Sequence, residues 1–148
     1  MIEVKNISKS YGEKNQKILA VDNISFSVED GEIFGLIGPD GSGKTSIFRM
    51  LTTVLLPDSG NAEIDRFDVI KDYKKIRQIL GYMPGKFSLY QDLTVEENLE
   101  FFASVFNTTI AENYDLIKDI YQQIEPFKDR KAGKLSGGMK QKLALSCA

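Results

Sequence analysis

The spacing of apolar and polar positions changes character about midway along this chain. In the first part, Ile24, Phe26 and Val28 alternate with Ser25 and Ser27, as in a strand with one buried face. Residues 2–10 and 20–28 read as strands, joined by the polar, glycine-containing stretch 11–16, and Glu29-Asp30-Gly31 reads as a turn. Residues 32–37, Glu-Ile-Phe-Gly-Leu-Ile, are a short apolar run that predicts a buried parallel strand, and 46–51 opens a helix. Pro57-Asp58-Ser59-Gly60 signals a turn before a short strand at 61–64. Residues 72–78 read as a short charged helix and 80–83 as a further strand. Alternating strands and helices predict an α/β sheet that follows an antiparallel opening.

Beyond residue 90 the period becomes helical. Thr94-Val95-Glu96-Glu97 is a capping box, and Leu99, Phe102, Ala103 and Phe106 recur behind it at helical spacing. Residues 111–124 form a second amphipathic pattern, with Leu116, Ile117, Ile120, Tyr121 and Ile124 on its apolar face and Pro126 marking its end. Two helices with no strand between them predict an inserted α-helical subdomain. The expected division is an α/β core over 1–84, the helical subdomain over 85–134, and a final segment with the start of a further helix over 135–148.

Composition narrows the function classes. The chain has 148 residues, 42% of them hydrophobic and 27% charged, which suits one soluble domain or a large part of one. A net charge of −2 gives no electrostatic footprint for nucleic acid, so none is expected as a partner. Cys147 is the single cysteine, in keeping with a reducing compartment. No apolar run approaches the length that crosses a membrane as a helix. Histidine is absent, which removes any mechanism relying on an imidazole from these residues.

The clearest chemistry lies at Gly38-Pro39-Asp40-Gly41-Ser42-Gly43-Lys44-Thr45, which fits the G-x-x-x-x-G-K-[ST] phosphate loop of nucleoside triphosphatases. Glycines at 38, 41 and 43 allow backbone angles that other residues resist, so that amides can turn inward. Those amides, with the positive end of a helix dipole behind them and Ser46 in the first turn, suit a polyphosphate. Lys44 supplies a mobile charge for the β- and γ-phosphates, and the Thr45 hydroxyl can ligate Mg²⁺. A nucleoside triphosphate with Mg²⁺ is the expected ligand. A second helix start, Lys134-Leu135-Ser136-Gly137-Gly138-Met139-Lys140-Gln141, has Ser136 as its cap and two glycines that leave the first amides uncovered.

With both stretches present, the sequence resembles the nucleotide-binding domain of ABC transporters over essentially its whole length. Leu135, Ser136, Gly137, Gly138 and Met139 match the family's signature motif, and Gln141 follows within the same helix. Tyr11 falls where the family places an aromatic that stacks on adenine. Residues 81–84 and 89–99 resemble the segment that links the catalytic core to the helical subdomain and faces the membrane domain. The resemblance implies an ATPase in which two such domains close head to tail, ATP lying between the phosphate loop of one and the signature of the other. It also implies transmembrane permease subunits as partners, and a cytoplasmic position on the inner face of the membrane held through them. Residues 92–99 look most like exporters of the drug, lipid or polysaccharide type. An ATP-binding module without turnover and a soluble, non-transport ABC ATPase are the alternatives.

Two departures qualify the resemblance. Gly85 follows Pro84 where the family usually has a glutamine that contacts Mg²⁺ and the attacking water; Gln91 lies too far along to take that role, and Lys86 reads as a solvated loop lysine. The strand that carries the family's Mg²⁺-holding aspartate and water-polarising glutamate, and the later switch histidine, have no counterpart in these 148 residues. The expectation is therefore an incomplete domain with no catalytic residue of its own. Met139, Leu143 and Cys147 share one stripe of the last helix and are expected to be only partly covered.

Overall fold

The structure is a computed structural model that describes residues 1–13 and 16–148; positions 14 and 15, within the predicted 11–16 connection, lie outside the described residues. The chain divides into two compact units, Met1–Gly81 and Tyr82–Ala148.

The first unit is a four-stranded antiparallel sheet with two helices. Strands β1 (Ile2–Tyr11), β2 (Ile18–Val28), β3 (Ser59–Ile64) and β4 (Phe67–Asp68) lie in the order β2-β1-β3-β4. Helices α1 (Lys44–Leu51) and α2 (Tyr73–Ile79) complete the unit. Its core joins Val4, Ile7 and Val21 of the sheet with Ile47, Met50 and Ile76 of the helices. The predicted alternation in β2 is only partly kept: Val21 and Val28 are buried but Ile24 is exposed. The β1–β2 register shifts between Val4 and Lys9, and Asn6 and Asn23 both sit at φ 50°. Each such irregularity advances the strand by an odd residue and flips the face that looks inward. Gly60 is required where β3 meets this irregularity, since a Cβ there would stand 2.2 Å from the Asn6 carbonyl oxygen.

Two predicted strands are corrected. Residues 32–37 and 80–83 are not strands, and Ile33 and Ile37 are fully exposed. An apolar run becomes a buried strand only when neighbouring strands accept its amides and carbonyls, and among the described residues none pairs with 32–37.

The second unit is helical: α3 (Val95–Val105), α4 (Ile110–Tyr121) and α5 (Gly137–Ser146), with single 3₁₀ turns at Glu125–Phe127 and Ala132–Lys134. Thr94 and Glu97 form the predicted capping box, and Thr109 and Glu112 form a second at the start of α4. Val95, Ile124, Ala132 and Leu143 are completely buried in one core. The predicted 111–124 helix is shorter than its pattern and leaves Leu116 84% exposed; Pro126 lies inside the following 3₁₀ turn rather than ending α4. Phe106 is likewise exposed, because α3 ends at Val105. On α5, Leu143 is fully covered instead of partly, while Met139 and Cys147 pack at the margin of the core.

Candidate functional site

The glycine loop of the first unit leads directly into α1. Gly41 and Gly43 adopt φ of 80° and 87°, left-handed values that disfavour a side chain. Gly43 also has no room for one: a Cβ would stand 2.1 Å from the Ala20 carbonyl oxygen of β2, so the loop is seated against the sheet at that point. A Cβ at Gly41 would meet nothing within 4 Å. The first helical hydrogen bond runs from the Ile47 amide to the Gly43 carbonyl at 3.0 Å. Among the described residues, no acceptor is found for the amides of Gly41, Gly43, Lys44, Thr45 or Ser46. The first turn of α1 carries no acidic residue, so the positive end of its dipole is unopposed.

Lys44 folds back over this loop. Its Nζ donates to the carbonyls of Gly38 (2.7 Å) and Pro39 (2.6 Å), with Ser42 Oγ at 3.3 Å. A cation held by neutral carbonyls beside free amides is ready to exchange them for anionic oxygens, to which its hydrogen bonds are stronger. Thr45 is exposed, and its hydroxyl is engaged by no described neighbour, so it fits the hard-oxygen ligation of Mg²⁺. The arrangement suits a polyphosphate with its counter-cation.

Tyr11 ends β1 beside the loop. It is 40% exposed, and its hydroxyl lies 2.9 Å from Ser46 Oγ, within a serine that is itself buried. The predicted site residues Tyr11 and 38–46 are therefore brought together, with Pro39 and Asp40 exposed on the loop. The Tyr11–Ser46 contact joins residues 35 apart in sequence, and no local pattern signals it.

The signature residues belong to the second unit. Leu135 is buried, Ser136 caps α5 by accepting from the Met139 amide at 3.3 Å, and Gly137, Gly138 and Gln141 are exposed. Sequence reading missed what holds this segment. The Ala132 amide donates to Leu93 O (2.8 Å), Gly133 to Gln91 O (2.9 Å) and Val95 to Arg130 O (3.1 Å). The stretch before the signature is thus tied to the stretch before α3, and a Cβ on Gly133 would press on Gln91 O at 3.1 Å. Asn98, fully buried, closes the same turn: its amide donates to Tyr90 O (2.9 Å) and Thr94 O (2.8 Å), and its oxygen accepts from the Tyr90 amide (3.0 Å). An asparagine on the apolar stripe between Val95 and Leu99 was the available signal. Gly85 and Lys86 are exposed. Burial pushes the Cys147 thiol up to about 12, which leaves it inert as a nucleophile.

Comparison with known proteins places these features in context. A family model described as ABC transporter matches residues 21–148. The probable multidrug ABC transporter ATP-binding protein YbhF of Escherichia coli is 46% identical over 130 residues, covering 86% of this chain and 22% of YbhF. The Nod factor export ATP-binding protein I of Burkholderia lata is 36% identical, covering 99% of this chain and 48% of that protein. The chain therefore spans less than half the length of either relative. Among solved structures, the dimeric post-hydrolysis state of the ATP-binding cassette MJ0796 bound to ADP and Pi superposes with a TM-score of 0.83 at 25% identity, over 99% of this chain and 68% of that one. The fold is accordingly a mixed α/β P-loop core with an antiparallel sheet and a helical part, present in part.

Proposed function

The chain belongs to the ABC transporter family, and on that premise we propose that it is the ATP-binding part of a transporter that binds and hydrolyses ATP in an assembled dimer to drive export. The observation that carries this reading is the phosphate loop: left-handed Gly41 and Gly43, unpaired amides at the start of α1, and Lys44 Nζ held on loop carbonyls beside them. In this reading the amides of 41–46 and Lys44 hold the triphosphate, the Thr45 hydroxyl ligates Mg²⁺, and Tyr11 stacks on the base. When bound, Mg²⁺ neutralises charge on the β- and γ-phosphate oxygens.

Leu135, Ser136, Gly137, Gly138 and Gln141 serve the nucleotide of a second, head-to-tail copy, presenting the capped start of α5 to its phosphates. The partners are that second domain and transmembrane permease subunits, through which the protein sits on the cytoplasmic face of the membrane. Among the described residues no helix is long and apolar enough to cross a membrane, so attachment through a separate permease fits. The export direction is supported by the relative named for Nod factor export.

A second reading, nucleotide binding without turnover, is favoured by Gly85, which offers no side chain to an attacking water. It applies to the 148 residues by themselves, none of which matches the family's water-polarising carboxylate or switch histidine. Mg-ATP titration of the chain against a Lys44→Ala variant tests both readings. Binding that weakens about 100-fold in the variant, equivalent to losing charge-assisted hydrogen bonds of 1.5–3 kcal/mol, is expected. Phosphate release by the unaltered chain would remove the second reading; equal binding by the two proteins would remove the first.

A further inference from the structure

Helix α1 ends in a turn that its own sequence disfavours. Thr53 follows the helix at φ 60°, and it is both buried and β-branched. Its amide donates to Met50 O at 3.1 Å, and the Val54 amide to Arg49 O at 2.9 Å. These are the two bonds of a Schellman turn, whose left-handed position usually holds glycine. An L side chain there is disfavoured by about five- to thirtyfold in population. The turn is held from α2. Arg77 donates from Nε to Thr53 Oγ1 (2.7 Å) and from Nη2 to Thr53 O (2.9 Å), so one planar group grips the side chain and the backbone of a single residue. The Tyr73 ring, one turn earlier on α2, lies 5.2 Å from the guanidinium, and Ile76 is fully buried in the core that Met50 of α1 shares. The positive charge also meets the negative end of the α1 dipole.

We propose that Arg77 is a positioning residue for the phosphate loop, resting on the ATP-binding reading above: it latches the strained end of α1 and so fixes the direction of the first-turn amides. Gly43, seated against β2, anchors the other end. The helix has eight residues, so the two anchors are about 12 Å apart. Without the guanidinium, Thr53 leaves the left-handed region by unwinding the last turn. That gives up the bonds from Val54 and Leu55 to Arg49 O and lets α1 tilt. A glycine at 53 has no strain to release, so the turn should then hold without Arg77.

The test follows the backbone amides of the 148-residue chain by NMR and hydrogen exchange in Arg77→Ala, Thr53→Gly and the double variant, each also titrated with Mg-ATP and Mg-tripolyphosphate. Arg77→Ala is expected to speed exchange at Thr53, Val54 and Leu55 about fivefold or more, while the β1 amides exchange as before. It should also shift the native-state amide resonances of Gly43, Lys44, Thr45 and Ser46, and weaken both ligands about fivefold. The two ligands fall together because the latch acts on the donors to phosphate and not on a base. Adding Thr53→Gly should return every reading to within about twofold of the unaltered chain. Arg77→Lys, which keeps the charge and loses the fork, should behave like Arg77→Ala. A role in stability alone would leave the native-state resonances of 43–46 in place, since they report only folded molecules. That outcome, or a double variant as impaired as Arg77→Ala, overturns the proposal. An unaltered chain that binds neither ligand would overturn the ATP-binding reading instead, while exchange at 53–55 still decides whether the latch exists.

Discussion

The two compact units solve the problem of burial in different ways. In Met1–Gly81 the sheet is one layer, packed on its inner side by α1 and α2, while Ile33, Ile37, Val54 and Leu56 remain at least 61% exposed. In Tyr82–Ala148, Ile124, Ala132 and Leu143 are completely buried, and the irregular stretches on either side of the helices are stitched to one another by backbone hydrogen bonds. A helix satisfies its own backbone, so three of them can seal a core with short connections. A strand cannot, and residues 32–37 show what an apolar strand sequence becomes without a ladder. The proposed phosphate chemistry is thus carried by the less covered unit, and the closed core belongs to the one bearing the signature.

The largest expected effect sharpens that contrast. Leu143→Ala should cost the second unit about 3 kcal/mol, since a fully enclosed leucine leaves a cavity. Local hydrogen-exchange free energies of the α3 and α5 amides measure it. A loss under 1 kcal/mol would mean the core is not closed. Asn98→Ala should follow at about 2 kcal/mol, because it removes the partners of the part-buried amide and carbonyl of Tyr90, while Thr94 O keeps its bond from the residue-98 amide. Exchange at residues 90–95 is expected to accelerate most.

Alkaline pH gives a smaller probe of the same core. Burial, with Glu125 and Glu96 nearby, pushes the Tyr121 phenol up to about 12. Its ordinary value is near 10, so the unfolded chain loses this proton first. Stability from the neutral phenol is complete below about pH 10 and is lost as pH rises towards 12, amounting to about 1 kcal/mol at pH 11. Urea melts at pH 9 and pH 11 should show this loss in the unaltered chain and a smaller one in Tyr121→Phe. The smallest effect belongs to the first unit: Ile33→Ser, at a fully exposed position, should change stability by less than about 0.5 kcal/mol in urea melts. A loss like that of Leu143→Ala would erase the distinction between the units.

What could be read from the sequence was mostly what neighbouring residues decide. The glycine loop, the Thr94–Glu97 capping box and the Ser136 cap each act within a few residues, and each forms. The Thr109–Glu112 box was equally local, but the apolar count that began its helix at 111 passed over it. Strand 32–37 was misread because strandness is decided by partners far away in the chain, not by its own apolar run. Ile24 was misplaced because irregularities at Asn6 and Asn23 reset the inward face. At the site, the residue types of the phosphate loop were legible from their spacing. The Tyr11–Ser46 contact and the Asn98 clamp were not, because strand and turn geometry bring together groups that no spacing rule connects.

Backbone hydrogen exchange with and without Mg-ATP tests the central claim most directly. The account predicts new protection confined to the amides of Gly41, Gly43, Lys44, Thr45 and Ser46, which have no acceptor among the described residues, with α3 and α4 unchanged. Unchanged exchange at 41–46 under saturating nucleotide, or protection appearing only in the second unit, would contradict it.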